Sequence, residues 1–305
     1  MKKIIHYFYD DINIWQRTTA PSFKICMASW LMHCQDYEIK LWHTGMPEFQ
    51  EILEKSRFVR ECLKRKMWAF IADYIRHYAL FNYGGIYLDT DVQLLKNFDK
   101  FLDKPFFCSI EGDIYHGSNI LESAVLGGEK GHIVFKEMLD IYDSDEIFKY
   151  NYLIEPIVLT EYLHQKIGFE KISYTTEKHS QKAKEFYTKE DYHNLTDFEL
   201  YTNQTIYKNE EFKIYIYPSE YFCPNWRAFA DKAFTDKTIA IHWNQSSWGD
   251  MNSFNVRRLE SFRYKNILKQ GWYLIVPKIA KIISLAIRDK TTRKNFRKNL
   301  IKKLG

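Results

Sequence analysis

Apolar and polar positions along the chain fall into two rhythms. Lys3 to Phe8 is an apolar run that predicts a buried first strand, Ser22 to Cys34 a helix, and Tyr37 to Trp42 a second strand. From Lys66 to Tyr83, Trp68, Ile71, Ala72, Ile75 and Ala79 recur at helical spacing and give one apolar face. Gly84-Gly85 ends that helix, because glycine accepts the left-handed conformation beyond a helix C-terminus. Ile86 to Val92 then reads as a strand. Strand, helix, strand, helix, strand in this order predicts an α/β fold with a mainly parallel central sheet. Pro105 to Ile110 and Ser123 to Leu126 read as further strands, Gly131 to Tyr142 and Pro156 to Ile167 as helices, and Phe212 to Tyr217 and Thr238 to Trp243 as late strands. Glu177 to Asn209 is polar and without clear period.

The 305 residues suit one large domain or one domain with an appendage. With 46% hydrophobic and 17% aromatic residues, a large core is available and disorder is excluded as the dominant state. Five scattered cysteines without paired spacing argue against a disulfide framework or a CxxC zinc site, and fit a reducing compartment. The opening apolar stretch is too short for a signal peptide, and no run of about 18 apolar residues is present. Charge divides the chain. From Val256 onward there are 15 Lys or Arg and 2 acidic residues, whereas residues 1–255 carry 29 basic and 37 acidic ones. This predicts a domain over 1–255 and a basic helical region over 256–305. In that region Ile275, Ile279, Ile282, Ile283 and Ala286 line one face, near Trp272 and Tyr273. Such a basic amphipathic helix suits an anionic membrane surface; packing on the acidic body is the alternative. Nucleic acid is not expected as a partner, since no recognition motif accompanies the charge. Together these features predict a cytoplasmic chain, peripheral on the inner face of the cell membrane.

The chemistry concentrates in Gly84-Gly85-Ile86-Tyr87-Leu88-Asp89-Thr90-Asp91. On a strand, Asp89 and Asp91 would share a face at the end of an apolar run, where open parallel sheets bind ligands. Two carboxylates there offer hard oxygen ligands to Mn²⁺ or Mg²⁺. A turn that merely caps the next element is the plainer reading, but a buried strand is a poor place for two spare aspartates. Asp73 and Arg76 lie three apart on the preceding helix, as a simple ion pair or as a grip on sugar hydroxyls.

The segments Ala69 to Arg76 and Tyr83 to Asp91 resemble the DXD-containing glycosyltransferases of family 32, and the glucosyltransferase domain of large clostridial toxins is similar there. Lys3 to Tyr9, Ala124 to His132 and Ile241 to Trp248 resemble further blocks of the family, in its order. The resemblance implies a GT-A type nucleotide-sugar-binding fold, a divalent ion that is usually manganese, a nucleotide-sugar donor, a saccharide or lipid-linked oligosaccharide acceptor, and retention of anomeric configuration. It assigns catalysis to Asp73, Arg76, Asp89 and Asp91, and the metal to Asp89, Asp91 and His242, with Asn244 as a substitute third ligand. It assigns donor binding to His6, Tyr9, Asp73, Arg76, Tyr87, Asp89, Asn244 and Trp248. Tyr9 is a departure, since relatives often place Trp there to stack on uracil. Glu155-Pro156 stands where relatives commonly have Gly-Pro, and Glu155 reads as a surface charge, with a contact to the acceptor as the alternative. No general base or nucleophile stands out, which fits a front-face displacement assisted by the leaving phosphate. The expected activity is hexosyl transfer, from UDP-galactose or UDP-glucose, in capsular or surface polysaccharide synthesis. A binding protein that has lost turnover, and a toxin-like transferase acting on protein, are the alternatives.

Overall fold

The computed structural model describes residues 1–10, 21–111, 120–144, 147, 155–169, 206–226 and 230–244. The strands are β1 (Ile4–Phe8), β2 (Glu38–Trp42), β3 (Gly85–Leu88), β4 (Val92–Leu94), β5 (Phe106–Ile110), β6 (Leu121–Gly128), β7 (Tyr207–Asn209), β8 (Ile214–Tyr217) and β9 (Ala240–His242). The helices are α1 (Pro21–His33), α2 (Pro47–Lys55), α3 (Arg57–Lys64), α4 (Trp68–Tyr83), α5 (Ile133–Asp143), α6 (Glu155–Ile167) and the single turn α7 (Ser219–Phe222). Seven strands form one sheet in the order β2-β1-β3-β6-β5-β8-β7. Five of them run in one direction, while β6 and β7 run against it. The sheet is thus mixed and mainly parallel, as the strand–helix alternation predicts.

Both faces are covered, so the strands read as continuous apolar runs rather than as alternating ones. His6, Phe8 and Tyr87 share one face by strand alternation; Phe8 and Tyr87 pack there with Ile71, Ile75 and Ala79 of α4. Ile5, Tyr7, Ile86 and Leu88 point the other way, to Phe23, Met27 and Trp30 of α1. Helix α4 stops at Gly84, which takes φ 67° and whose N–H donates to Leu80 O. A Cβ at Gly84 would stand 2.7 Å from the Lys130 backbone nitrogen, so both conformation and space require glycine there. That stop feeds β3 directly alongside β1.

The strand expected over Ile86 to Val92 is two strands in two sheets. β3 ends at Leu88, residues 89–91 turn, and β4 leaves to pair antiparallel with β9. The Asp89 N–H donates to Ala124 O at 2.9 Å, and the Val92 N–H donates back to Asp89 O at 3.0 Å, closing the turn. Helices α2 and α3 were not anticipated, although their boundaries carry local signals. Pro47 opens α2, and the Ser56 hydroxyl accepts from the Val59 N–H at the start of α3. The basic region over 256–305 lies outside the described residues. Among the described residues, no helix is long and apolar enough to cross a membrane.

Candidate metal and donor site

The turn after β3 gathers the acidic pair. Register in the small sheet places Val92 opposite His242, so the end of β9 lies beside Asp91. The Trp243 N–H donates to Asp91 O at 3.2 Å. Helix α1 fixes β4 from the other side. Trp30 Nε1 donates to Val92 O at 2.7 Å, and the Leu94 N–H donates to Ser29 Oγ at 2.8 Å. The result is that one ligand atom from each of Asp89, Asp91 and His242 lies within 4.8 Å of the others. These three side chains keep 27%, 18% and 15% exposure respectively, so a ligand can reach them. Two carboxylates and an imidazole are a donor set that fits a hard or borderline divalent ion.

Behind this group lies a support that the sequence reading did not anticipate. His242 Nδ1 is 3.0 Å from Glu122 Oε2, and His242 Nε2 is 3.4 Å from Asp91 Oδ1. Glu122 is buried on β6, and its other oxygen accepts the Ala124 N–H at 2.6 Å. Burial disfavours charge on His242, but Glu122 and then Asp91 outweigh it and hold its pKa well above the usual imidazole range. Burial likewise opposes ionisation of Glu122, yet His242 and the Ala124 N–H bring its pKa below the ordinary carboxylate value. Without a metal, His242 is therefore the cation of the cluster. The signal for Glu122 was present as a carboxylate inside the apolar run from Ile120 to Leu126.

Arg76 is the hub of the adjoining network. Its Nη2 donates to Asp73 Oδ1 at 2.8 Å and to Asp89 Oδ1 at 3.4 Å. Its Nη1 donates to Ser123 O at 2.7 Å and to Ser123 Oγ at 2.6 Å. The guanidinium also lies over the Tyr87 ring, 5.0 Å from its centroid. Burial would penalise its charge, but Asp89 and Asp73 outweigh that and raise its pKa further. Burial pushes Asp73 and Asp89 upward against the pull of Arg76. Burial also raises Tyr87, with Asp89 close by adding to it. Arg76 and Asp73 are almost fully buried, with protein groups as their partners. They form an ion pair, as the spacing allowed, but a buried one that steadies Asp89 rather than a solvated one.

The remaining expected residues fall as follows. Tyr9 is half-buried at the end of β1, its ring 5.8 Å from that of Phe23. Asn244 follows β9 with φ 47°, a left-handed conformation that asparagine tolerates better than most residues. Trp248 lies outside the described residues. His6 is interior rather than facing a donor. Its Nδ1 accepts from Trp42 Nε1 at 3.1 Å, so its Nε2–H donates to Gly84 O at 3.0 Å, and no ring nitrogen is left for a ligand. Glu155, read from sequence as a surface charge, is fully buried at the start of α6. It is 2.9 Å from His77 Nε2, and its N–H donates to Asp73 Oδ2 at 3.3 Å.

Burial lowers the His6 pKa from 6.5 to about 4. The unfolded chain takes up a proton near the higher value and the folded chain only near the lower one. Stability should therefore fall as pH drops through that window, by up to about 1.4 kcal/mol per unit for this one group. His6→Gln should flatten the plot of urea midpoint against pH; an unchanged slope would assign the effect to other histidines.

Residues 21–107, a little over a quarter of the chain, match the family described as glycosyltransferase sugar-binding region containing DXD motif. None of the curated proteins matches the chain. Among solved structures, the chain is similar to the PaToxG glycosyltransferase, with 16% identity, TM-score 0.42, and coverage of 55% of this chain and 70% of that one. It is similar to a glycosyltransferase involved in glycosylation of the major capsid of PBCV-1, with 14% identity, TM-score 0.37, and coverage of 85% and 98%. It is also similar to the galactosyltransferase LgtC in complex with donor and acceptor sugar analogs, with 14% identity, TM-score 0.36, and coverage of 86% and 95%. These structural likenesses are loose, and the assignment rests on the family match, which spans α4, β3 and the turn holding Asp89 and Asp91. Residues 21–107 thus match the DXD-containing sugar-binding region of glycosyltransferases.

Proposed function

We propose that the chain transfers a hexose from a nucleotide-sugar, with UDP-galactose or UDP-glucose as the preferred donor, to a saccharide or lipid-linked acceptor during surface polysaccharide synthesis. The reaction is metal-dependent and retains anomeric configuration. The observation that carries this reading is the meeting of Asp89, Asp91 and His242 at the end of β3, with reachable ligand atoms within 4.8 Å of one another. A divalent ion held there, Mn²⁺ or Mg²⁺, would supply positive charge to the diphosphate as its bond to the sugar breaks.

The chain's own residues prepare that site. Arg76 holds one oxygen of Asp89 and compensates its charge in a buried setting. Glu122 takes the Nδ1–H of His242, so that an ion displacing the other ring proton would find the Nε2 lone pair toward Asp91. Tyr9, at the mouth of β1, offers an aromatic face to the base. Family resemblance, not geometry, supports Asn244 as a contact to the diphosphate and Trp248 as its cover. The acceptor hydroxyl would lose its proton to the leaving phosphate. Recovery of a covalent sugar–protein adduct would rule out that front-face course.

Two measurements test the reading. In a thermal-shift screen of nucleotide-sugars with Mn²⁺, the true donor should raise the midpoint above all others, because stabilisation grows with concentration over the dissociation constant. Donor hydrolysis or transfer should follow for that compound; if every nucleotide-sugar fails in both assays, the reading falls. Within it, Glu122→Gln should weaken activating Mn²⁺ about 10- to 100-fold while leaving the maximal rate nearly intact at saturating metal. An unchanged metal dependence would remove Glu122 from the assembly. For the basic region from Val256 onward, we propose contact with an anionic membrane surface, at the cytoplasmic face. Flotation of the full chain with anionic liposomes should show it, and absence of binding would discard it.

A further inference from the structure

His242 stands between two ligand sets of different chemical softness. On one side are the carboxylates of Asp89 and Asp91. On the other are the Glu122 carboxylate and the Cys223 thiol, and one ligand atom from each of Glu122, Cys223 and His242 again lies within 4.8 Å of the others. Both added residues are buried, Glu122 on β6 and Cys223 at the C-cap of α7. The Cys223 N–H donates to Ser219 O at 2.9 Å, which ties the residue to that turn and leaves its thiol beside Glu122 and His242. We propose that Glu122, Cys223 and His242 form a second cation site, selective for a soft divalent ion such as zinc, whose filling excludes a metal from Asp89, Asp91 and His242.

Three features carry this. First, thiolate, imidazole and carboxylate are a preferred ligand set of zinc, whereas the aspartate side suits manganese or magnesium. A zinc ion would draw the three atoms to roughly 3.3–3.8 Å of one another, a contraction on the order of 1 Å from the widest allowed spacing. Second, the charges balance. The thiol proton and one of the two imidazolium protons leave to solvent as the ion binds, so thiolate and carboxylate together neutralise the dication beside a neutral ring in a buried place, where a residual charge would be costly. Third, a neutral imidazole has one lone pair. With metal on the aspartate side, Nε2 is the ligand and the Nδ1–H goes to Glu122. With metal on the cysteine side, Nδ1 is the ligand and the proton moves to Nε2, where it faces Asp91 at the 3.4 Å already present. While it keeps one proton, the ring cannot serve both at once. Zinc would then inhibit by removing the third ligand of the aspartate site. That inhibitory effect rests on the transferase reading; the site and the exclusion do not.

Cobalt replaces zinc with a visible signature. Full-length protein given one equivalent of Co²⁺ should develop the near-ultraviolet thiolate-to-cobalt charge-transfer band. Excess Mn²⁺ should erase that band, and Cys223→Ser should lack it while unfolding at the wild-type temperature. Zn²⁺ should inhibit Mn²⁺-supported transfer by the wild type, and at least about tenfold less effectively in Cys223→Ser. No band in the wild type, a band that persists in Cys223→Ser, or a band indifferent to Mn²⁺ would each overturn the proposal. The wild-type titration needs no variant, so misfolding of the mutant cannot shelter the idea. If band and competition appear but no sugar is ever transferred, the transferase reading fails and the second site stands.

Discussion

Asp91→Ala should lower transfer on the order of 10³-fold with little loss of stability. Asp91 is partly reachable by solvent, and its carboxylate faces His242 rather than the buried guanidinium. Removing it takes away one of three ligand groups and leaves the Arg76 network whole. Asp89→Ala should behave differently. Asp89 is tied to Arg76 at 3.4 Å, so its loss strips the site and also leaves Arg76 with one carboxylate fewer. The pair should therefore separate into one variant that is inactive and stable, and one that is inactive and weakened. Rates measured at saturating donor across a Mn²⁺ series, with urea curves of both proteins, would show it. Full activity in Asp91→Ala, or full transfer after exhaustive chelation, would end the metal-dependent account.

Arg76→Ala should cost about 3–5 kcal/mol of folding stability, the usual effect of removing one partner from a buried charge group. Asp73 and Asp89 would lose their common counter-ion, and Ser123 its donors. Arg76→Lys should recover only part of this, because an ammonium cannot present two parallel donors to different acceptors as the guanidinium does. Arg76→Met combined with Asp73→Asn should be less damaging than Arg76→Met alone, since fewer buried charges stay unmatched. Urea midpoints of the four proteins decide it. A loss under about 1 kcal/mol in Arg76→Ala would mean that water replaces the guanidinium, and that the network is not the anchor described here.

The sequence made some of this legible and hid the rest for identifiable reasons. Helix α4 and strand β3 could be read because an apolar helical face, two glycines and an apolar run follow one another without interruption. Asp89 and Asp91 stood out because they end that run. The change of sheet between Leu88 and Val92 could not be read, since apolar residues continue on both sides and only the partner strands differ. His242 was expected beside the acidic pair only through family resemblance; the cause of its position, the pairing of β4 with β9, joins residues 150 positions apart and leaves no local trace. Glu122 carried a trace that was overlooked, a charge within an apolar strand. Glu155 was misjudged because exposure of a carboxylate is the common case, and burial here depends on His77, which local spacing does not place beside it.

The pairing of Val92 with His242 also governs when the protein can first work. On a ribosome, the α4–β3 segment emerges long before residue 242, and its aspartates wait without their imidazole. Closing so long a loop is entropically slow relative to forming the local helices. Competence should thus be a late event in maturation, trailing the recovery of secondary structure. In refolding from urea, the regain of metal affinity would then lag behind the far-ultraviolet dichroism.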